Sequence, residues 1–154
     1  MASSPARRIW RGDSVVARRH KSRYYIPEEI CYENAGVLTL GNDRLRFLVA
    51  NALSKVPRSV VDNVVNRCLF VMPIHEEKGI FIPKELLRGK CVIALPEKLL
   101  GEDEEEIEHT ILHEVAHFYH GHKSPLLLEE CADRQQEEEA DRTVELWLEK
   151  FRSS

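Results

Sequence analysis

The chain has 154 residues, of which 43% are hydrophobic and 31% are charged, an ordinary balance for one globular domain with its own core. The net charge of −4 is uneven, because residues 1–23 hold seven Lys or Arg against one acid, Asp13, and so leave −10 on the remainder. No apolar run reaches the ~20 residues of a membrane helix, and no secretory signal follows the basic start. The sequence therefore predicts a cytoplasmic protein without a membrane partner.

The first 23 residues combine Ser, Pro and Gly with many like charges, which is typical of a flexible basic arm. Residues 24–154 are predicted to form the single domain. A basic arm is able to contact nucleic acid, but this stretch has neither an aromatic-interleaved pattern nor a helix-turn-helix signature. A nucleic-acid partner is therefore not predicted.

Residues 24–36 have a mixed pattern that favours no particular element, and two helices are predicted after them. Asn42 and Asp43 offer a cap for a helix that runs to about Lys55, with apolar residues at helical spacing. Pro57 ends that helix, and Ser59 is able to cap a second, shorter one. The domain is therefore expected to begin with helices.

Three short apolar runs follow, at residues 68–74, 79–82 and 90–96, each bounded by charge, Gly or Pro. Their close spacing suits antiparallel or mixed pairing better than helical crossovers, so the sequence predicts a small, twisted, three-stranded sheet of meander type. The four cysteines are spread without a C-x-x-C pair, which argues against a zinc knuckle and a disulfide scaffold. They are predicted to be small buried side chains.

Two long helices complete the predicted α+β fold. The acidic run 102–106 suits the positive end of a helix dipole, and Gly121 can end that helix in a left-handed cap just after His120. A last helix is predicted over residues 127–151. The three-stranded sheet is expected to pack against these two helices.

The first of these helices contains the motif H-E-V-A-H, in which His113 and His117 are four residues apart. Residues at this spacing share one face of a helix, so both imidazoles are able to bind one zinc ion at ~2.0–2.1 Å. Glu114 flanks that position and is predicted to accept a proton from a water that the metal activates. The motif thus predicts a single catalytic Zn²⁺ in a metallohydrolase.

A catalytic zinc takes three protein ligands, and the sequence offers two kinds of third ligand. In the last helix, Glu137 shares an inward-facing stripe with Ala140, whereas Glu138 and Glu139 fall on mostly polar stripes that water would cover. Helical geometry therefore favours Glu137. Asp141, one turn later, is predicted to accept a hydrogen bond from a ligand histidine.

The alternative third ligand is a nearby histidine. His120 is close to His117, and Gly121 would allow His122 to fold back toward the metal. The three-histidine metzincin pattern fails, because His120 stands at its glycine position and Lys123 at its third histidine.

The motif H-E-V-A-H, followed about twenty residues later by E-E-E-A-D-R, resembles that of the gluzincin peptidases. Over residues 60–150 the layout is most similar to the small ImmA/IrrE-type metallopeptidases. The resemblance implies an endopeptidase with a polypeptide substrate, a short twisted sheet before the active-site helix, and an edge strand along the cleft. By this resemblance the substrate-binding strand comprises Lys90, Cys91, Val92, Ile93, Ala94 and Leu95.

Two further hypotheses belong to other classes. One is a zinc-binding regulatory or interaction module of toxin–antitoxin or phage type, in which the metal is structural and no peptide is cleaved. A closed structural site would need a fourth protein ligand and would have no use for Glu114 as a base. The other is a DNA-associated protease in which His122 replaces Glu137 at the metal.

Overall fold

Five α-helices and two short strands make up the parts of the chain that the computed structural model describes, which are residues 23–34, 43–72, 90–122 and 130–154. The elements in chain order are α1 (Pro27–Asn34), α2 (Asp43–Leu53), α3 (Arg58–Arg67), β1 (Cys68–Val71), β2 (Cys91–Ala94), a 3-10 helix (Glu97–Gly101), α4 (Glu104–His120) and α5 (Glu130–Arg152). The fold is mostly helical with a small sheet, as an α+β fold requires. Of the predicted basic arm, only Arg23 lies within the described residues.

The first helix, α1, was not predicted, although the sequence contains its start signals. Pro27 stands at the first helical position, where its missing N–H costs no hydrogen bond. Glu29 then reaches back, and its carboxylate accepts the backbone N–H of Ile26 at 3.1 Å. The two predicted helices that follow are confirmed as α2 and α3, but Pro57 and not Ser59 occupies the N-cap of α3.

The sheet differs from the predicted meander. Strands β1 and β2 pair directly and in parallel, with Cys68 opposite Cys91 and Val71 opposite Ala94. Parallel pairing needs a crossover of about a dozen residues or more, and the 19 residues between the two strands provide that length. The prediction of a meander is wrong, and the predicted middle strand at 79–82 lies outside the described residues.

Helix α4 begins and ends as predicted. The side chain of Asp103 accepts the backbone N–H of Glu106 at 2.9 Å, which caps the first turn. At the other end Gly121 has a φ of 67°, and its N–H donates to the carbonyls of His117 and Phe118. These two caps define the length of the helix and, with it, the position of the H-E-V-A-H motif.

One face of α4 is apolar and buried against α2, α5 and the sheet, and the side chains of this face are those of Ile107, Ile111, Leu112, Val115 and Ala116. At its edge the Lys55 ammonium forms a partly buried ion pair with Glu108, which joins the end of α2 to α4. Helix α5 contributes Ala140, Val144 and Trp147 to the same core. None of the described helices is long and apolar enough to cross a membrane.

The cysteines do not share one environment. Cys68 is fully buried in β1, and this burial raises the pKa of its thiol to about 12, so it is an unreactive core residue as predicted. Cys91, its neighbour across the sheet, is exposed, and Cys31 is half-buried. The prediction of burial is wrong for Cys91, because three of the four β2 side chains point out of the core.

Candidate metal centre

The imidazoles of His113 and His117 and the carboxylate of Glu137 meet where α4 faces α5. The two Nε2 atoms are 3.0 Å apart, and the Glu137 oxygens lie 3.0 Å from Nε2 of His113 and 3.2 Å from Nε2 of His117. Ligands of a tetrahedral ion with bonds of ~2.0–2.1 Å would be roughly 3.3 Å apart. The three donor atoms are thus close enough to bind one metal ion together, and within the described residues the group has three members.

The orientation of His113 is set by a second carboxylate. Its Nδ1 lies 2.8 Å from Oδ1 of Asp141, one turn beyond Glu137 on α5. With a metal ion on Nε2, the ring proton of His113 would lie on Nδ1 and be donated to the Asp141 carboxylate, which would fix the orientation of the ring. The structure brings Asp141 to the position that helical spacing predicts.

His117 has a different neighbour at its Nδ1. That atom lies 2.9 Å from Nδ1 of His122, and the other nitrogen of His122 lies 2.9 Å from Oε2 of Glu139. The hydrogen bond from His122 is the main cause that lowers the pKa of the Glu139 carboxyl, so this group is ionised near neutrality. His122 therefore lies behind His117 and not beside Glu137.

Near Nδ1 of His117, a second set of side chains also lies close enough together to hold a metal ion: His120, His122 and Glu139. The rings of His120 and His122 stack with centroids 5.1 Å apart, and Nε2 of His120 lies 2.7 Å from the Thr143 hydroxyl. The separation of 3.7 Å between His120 Nδ1 and Glu139 is longer than any edge of the first group. The first group is therefore the more compact of the two.

Glu114 lies beside the first group and lines the same cleft. It is half-buried, and this burial is the main cause that raises the pKa of its carboxyl, while the nearby His113 lowers it and Glu137 raises it. Burial likewise lowers the pKa of His117, which favours the neutral imidazole that a metal requires.

The cleft has a volume of about 400 Å³, and strand β2 forms its other side. Cys91, Val92 and Ile93 line it together with the three residues of the candidate metal centre. Val92 is 39% exposed, a large apolar side chain facing solvent. By contrast, Leu95 is fully buried, and its N–H donates to the carbonyl of Val71 at 2.9 Å, so it is not placed to meet a ligand.

Asp133 is a cleft residue that the sequence reasoning missed. Its Oδ1 is buried without a hydrogen-bond partner among the described residues, and its charge acts on His117. The signal was available, because Asp133, Glu137 and Asp141 recur every four residues along α5. Of these three carboxylates, Asp133 and Glu137 line the cleft together with His113 and His117.

Comparison with models of protein families, with curated proteins and with solved structures finds no match to this chain.

Proposed function

We propose that the chain is a zinc-dependent endopeptidase of gluzincin type, with His113, His117 and Glu137 as metal ligands and Glu114 as general base. One observation carries the proposal: the two imidazole Nε2 atoms lie 3.0 Å apart, each lies within 3.2 Å of one oxygen of the Glu137 carboxylate, and a half-buried glutamate lies beside them. The likeness of H-E-V-A-H and E-E-E-A-D-R to the gluzincin motifs supports the same reading.

Two imidazoles and one carboxylate are the ligand set of catalytic zinc in several peptidases, and a three-member group leaves a position open for water or substrate. A zinc ion bound there would act as a Lewis acid that polarises a carbonyl and acidifies a water molecule. Structural zinc sites take four protein ligands. The three-member group therefore favours an enzyme over an interaction module, within the described residues.

The position of His122 supports Glu137 as the third ligand. Glu137 contacts Nε2 of both His113 and His117, whereas His122 faces Nδ1 of His117, on the other side of that ring. A three-histidine site would require His122 to move around His117. The three-histidine alternative is accordingly the weaker of the two.

Glu114 is the group best suited to take the proton from an attacking water. A base is most effective when its pKa lies near the working pH, and burial shifts the pKa of Glu114 in that direction. Its position next to His113 in the helix keeps it on the cleft side of the ligands. Glu114 then returns the proton to the leaving amine, so that one residue serves both steps.

Strand β2 supplies a surface for an extended peptide. Within the described ranges it pairs with β1 alone, and its residues Cys91 to Ile93 line the cleft across from Glu114. A substrate added as a further strand would be held by main-chain hydrogen bonds, with little dependence on its sequence. We limit the proposed strand to Lys90 through Ala94, since Leu95 belongs to the core.

The catalytic assignment is tested by metal content and casein cleavage of Glu114→Gln and Glu137→Ala, purified without chelators. The control is Glu138→Gln, which removes the charge of an exposed carboxylate on the same helix as Glu137. We expect one zinc in the wild type, retained zinc but a loss of cleavage on the order of 10²–10⁴-fold in Glu114→Gln, and loss of zinc in Glu137→Ala. If all four proteins bound equal amounts of zinc and none cleaved casein, the peptidase proposal would be rejected in favour of a zinc-binding module.

The strand assignment is tested separately by alkylating the exposed thiol of Cys91 with a bulky maleimide. We expect cleavage to fall while zinc content stays constant, because the adduct fills the cleft without touching the ligands. A Cys91→Ser protein treated in the same way corrects for modification of the other cysteines. Equal activity of the two treated proteins would remove β2 from the substrate site.

A further inference from the structure

The two ligand histidines are supported in different ways. His113 donates directly to the carboxylate of Asp141, whereas His117 meets another imidazole, that of His122, at 2.9 Å. The side chain of His122 is only 7% exposed, and its second nitrogen lies 2.9 Å from Glu139. The proposed metal centre uses neither this half-buried histidine nor its carboxylate as a ligand.

The contacts of His122 fit one arrangement of protons when His117 binds a metal ion through Nε2. Ionised Glu139 can only accept, so Nε2 of His122 carries the proton of that contact. Nδ1 of His122 then offers its lone pair to the proton that a metal-bound His117 carries on its own Nδ1. Nε2 of His117 faces Glu137 and His113, where the metal ion would bind.

We propose that His122 and Glu139, the positioning pair, hold His117 in the tautomer and orientation in which its Nε2 binds the metal. Asp141 contacts Nδ1 of His113 directly, whereas Glu139 acts on Nδ1 of His117 through the imidazole of His122. Stacking of His120 on the ring of His122, with His120 bonded to Thr143, holds the pair in place. This inference rests on the proposed metal site and adds two positioning residues to it.

A second metal ion bound by His120, His122 and Glu139 is the competing use of these residues. It would need the lone pair of His122 on Nε2, which places the proton of a neutral ring on Nδ1. When His117 binds the first ion through Nε2, its Nδ1 is protonated as well, and two N–H groups would oppose each other at 2.9 Å. The positioning pair has no such conflict, so the geometry favours it.

The first test is zinc affinity by competition with a chromophoric chelator, together with zinc stoichiometry. We expect His122→Phe to weaken binding by roughly 10–100-fold, as loss of an outer partner of a ligand histidine does. Glu139→Gln should weaken zinc binding less than His122→Phe does, because the amide oxygen of Gln still accepts the hydrogen bond from His122 but carries no charge. The control Glu138→Gln, next to Glu139 and exposed, should match the wild type.

The second test begins with the wild-type protein. Long-range ¹H–¹⁵N correlation spectra of the zinc-loaded wild type report which ring nitrogens carry protons, and we expect the proton of His117 on Nδ1 and that of His122 on Nε2. A proton on Nδ1 of His122, or a second bound zinc that His122→Phe removes, would overturn the positioning pair in favour of a second site. Folding of His122→Phe is checked by circular dichroism without metal.

Failure of the positioning pair is distinguishable from failure of the metal centre. If the wild type binds one zinc that Glu137→Ala abolishes, but His122→Phe and Glu139→Gln bind as tightly as Glu138→Gln, then only the positioning pair is refuted. If the wild type binds no zinc, both proposals fall together.

Discussion

The two faces of α4 differ in the chemistry of their side chains. One face is wholly apolar, and Ile111, Leu112 and Val115 on it are fully buried. The other face lines the cleft and carries His113 and His117, which are partly exposed and bonded to carboxylates. A single 17-residue helix thus carries part of the core on one side and the candidate metal centre on the other.

From this difference we expect stability and the proposed metal binding to be separable in this chain. Burial of apolar area is the main favourable term in folding, and the site face contributes little of it. A half-buried carboxylate such as Glu114 instead has an energetic cost, because burial disfavours its charge. Substitutions on the two faces should therefore fail in different assays.

The largest effect on folding is expected on the apolar face. Leu112→Ala should lower the free energy of unfolding of the metal-free protein by about 2–5 kcal/mol, since it removes a fully buried side chain and leaves a cavity. His113→Ala, on the opposite face, should lower it by about 1 kcal/mol through loss of the Asp141 hydrogen bond. Chemical denaturation measures both, and equal losses would refute the separation of the faces.

A smaller effect is expected for Asp141→Asn, on metal affinity. The amide keeps the shape of the carboxylate but not its charge, so His113 is held less firmly in its metal-binding tautomer. We expect zinc affinity to fall by roughly 10–100-fold, or about 1.4–2.8 kcal/mol, with little change in metal-free stability. An affinity equal to that of Glu138→Gln would show that His113 needs no partner at Nδ1.

The next effect concerns the turn that carries His122. Gly121 has a φ of 67°, which a residue with a Cβ adopts at a cost, so Gly121→Ala should destabilise by about 1 kcal/mol. No heavy atom lies within 4 Å of the added Cβ at Gly121 or at Gly101. Gly101→Ala is therefore a matched control, expected within about 0.5 kcal/mol of the wild type. Similar losses in both would remove the left-handed cap as the cause.

The parts of the site that lie within one helix could be predicted from sequence. The spacing of four in H-E-V-A-H and the inward stripe of Glu137 follow from the period of the helix alone. In the structure, His113, His117 and Glu137 lie close enough together to hold one metal ion, which agrees with the placement expected from helical spacing. The parallel pairing of β1 and β2 could not be predicted, because it depends on contacts between residues far apart in the chain.

The positioning pair shows where helical periodicity alone falls short. Its stripe predicts that Glu139 faces water, and the side chain is indeed 50% exposed. Yet the chain turns back at Gly121 and carries His122 across to Glu139, so the carboxylate has a partner that no pattern within α5 contains. Contacts of this kind require the geometry of the turn together with the packing of α4 on α5.

The smallest expected effect on stability has the opposite sign, and Glu114→Gln should show it in metal-free protein. Folding raises the pKa of Glu114, mainly by burial, so the folded state binds this proton more tightly than the unfolded state does. The wild type therefore carries a penalty that appears as the pH rises from the ordinary value of 4.5 through the raised value. Gln has no charge to bury, so the variant should be the more stable protein at neutral pH and lose that advantage below about pH 4.5. Denaturation curves of both proteins across this range measure the difference, and a wild type that is the more stable protein at neutral pH would show that the Glu114 carboxylate is held by favourable contacts and is not poised as a base.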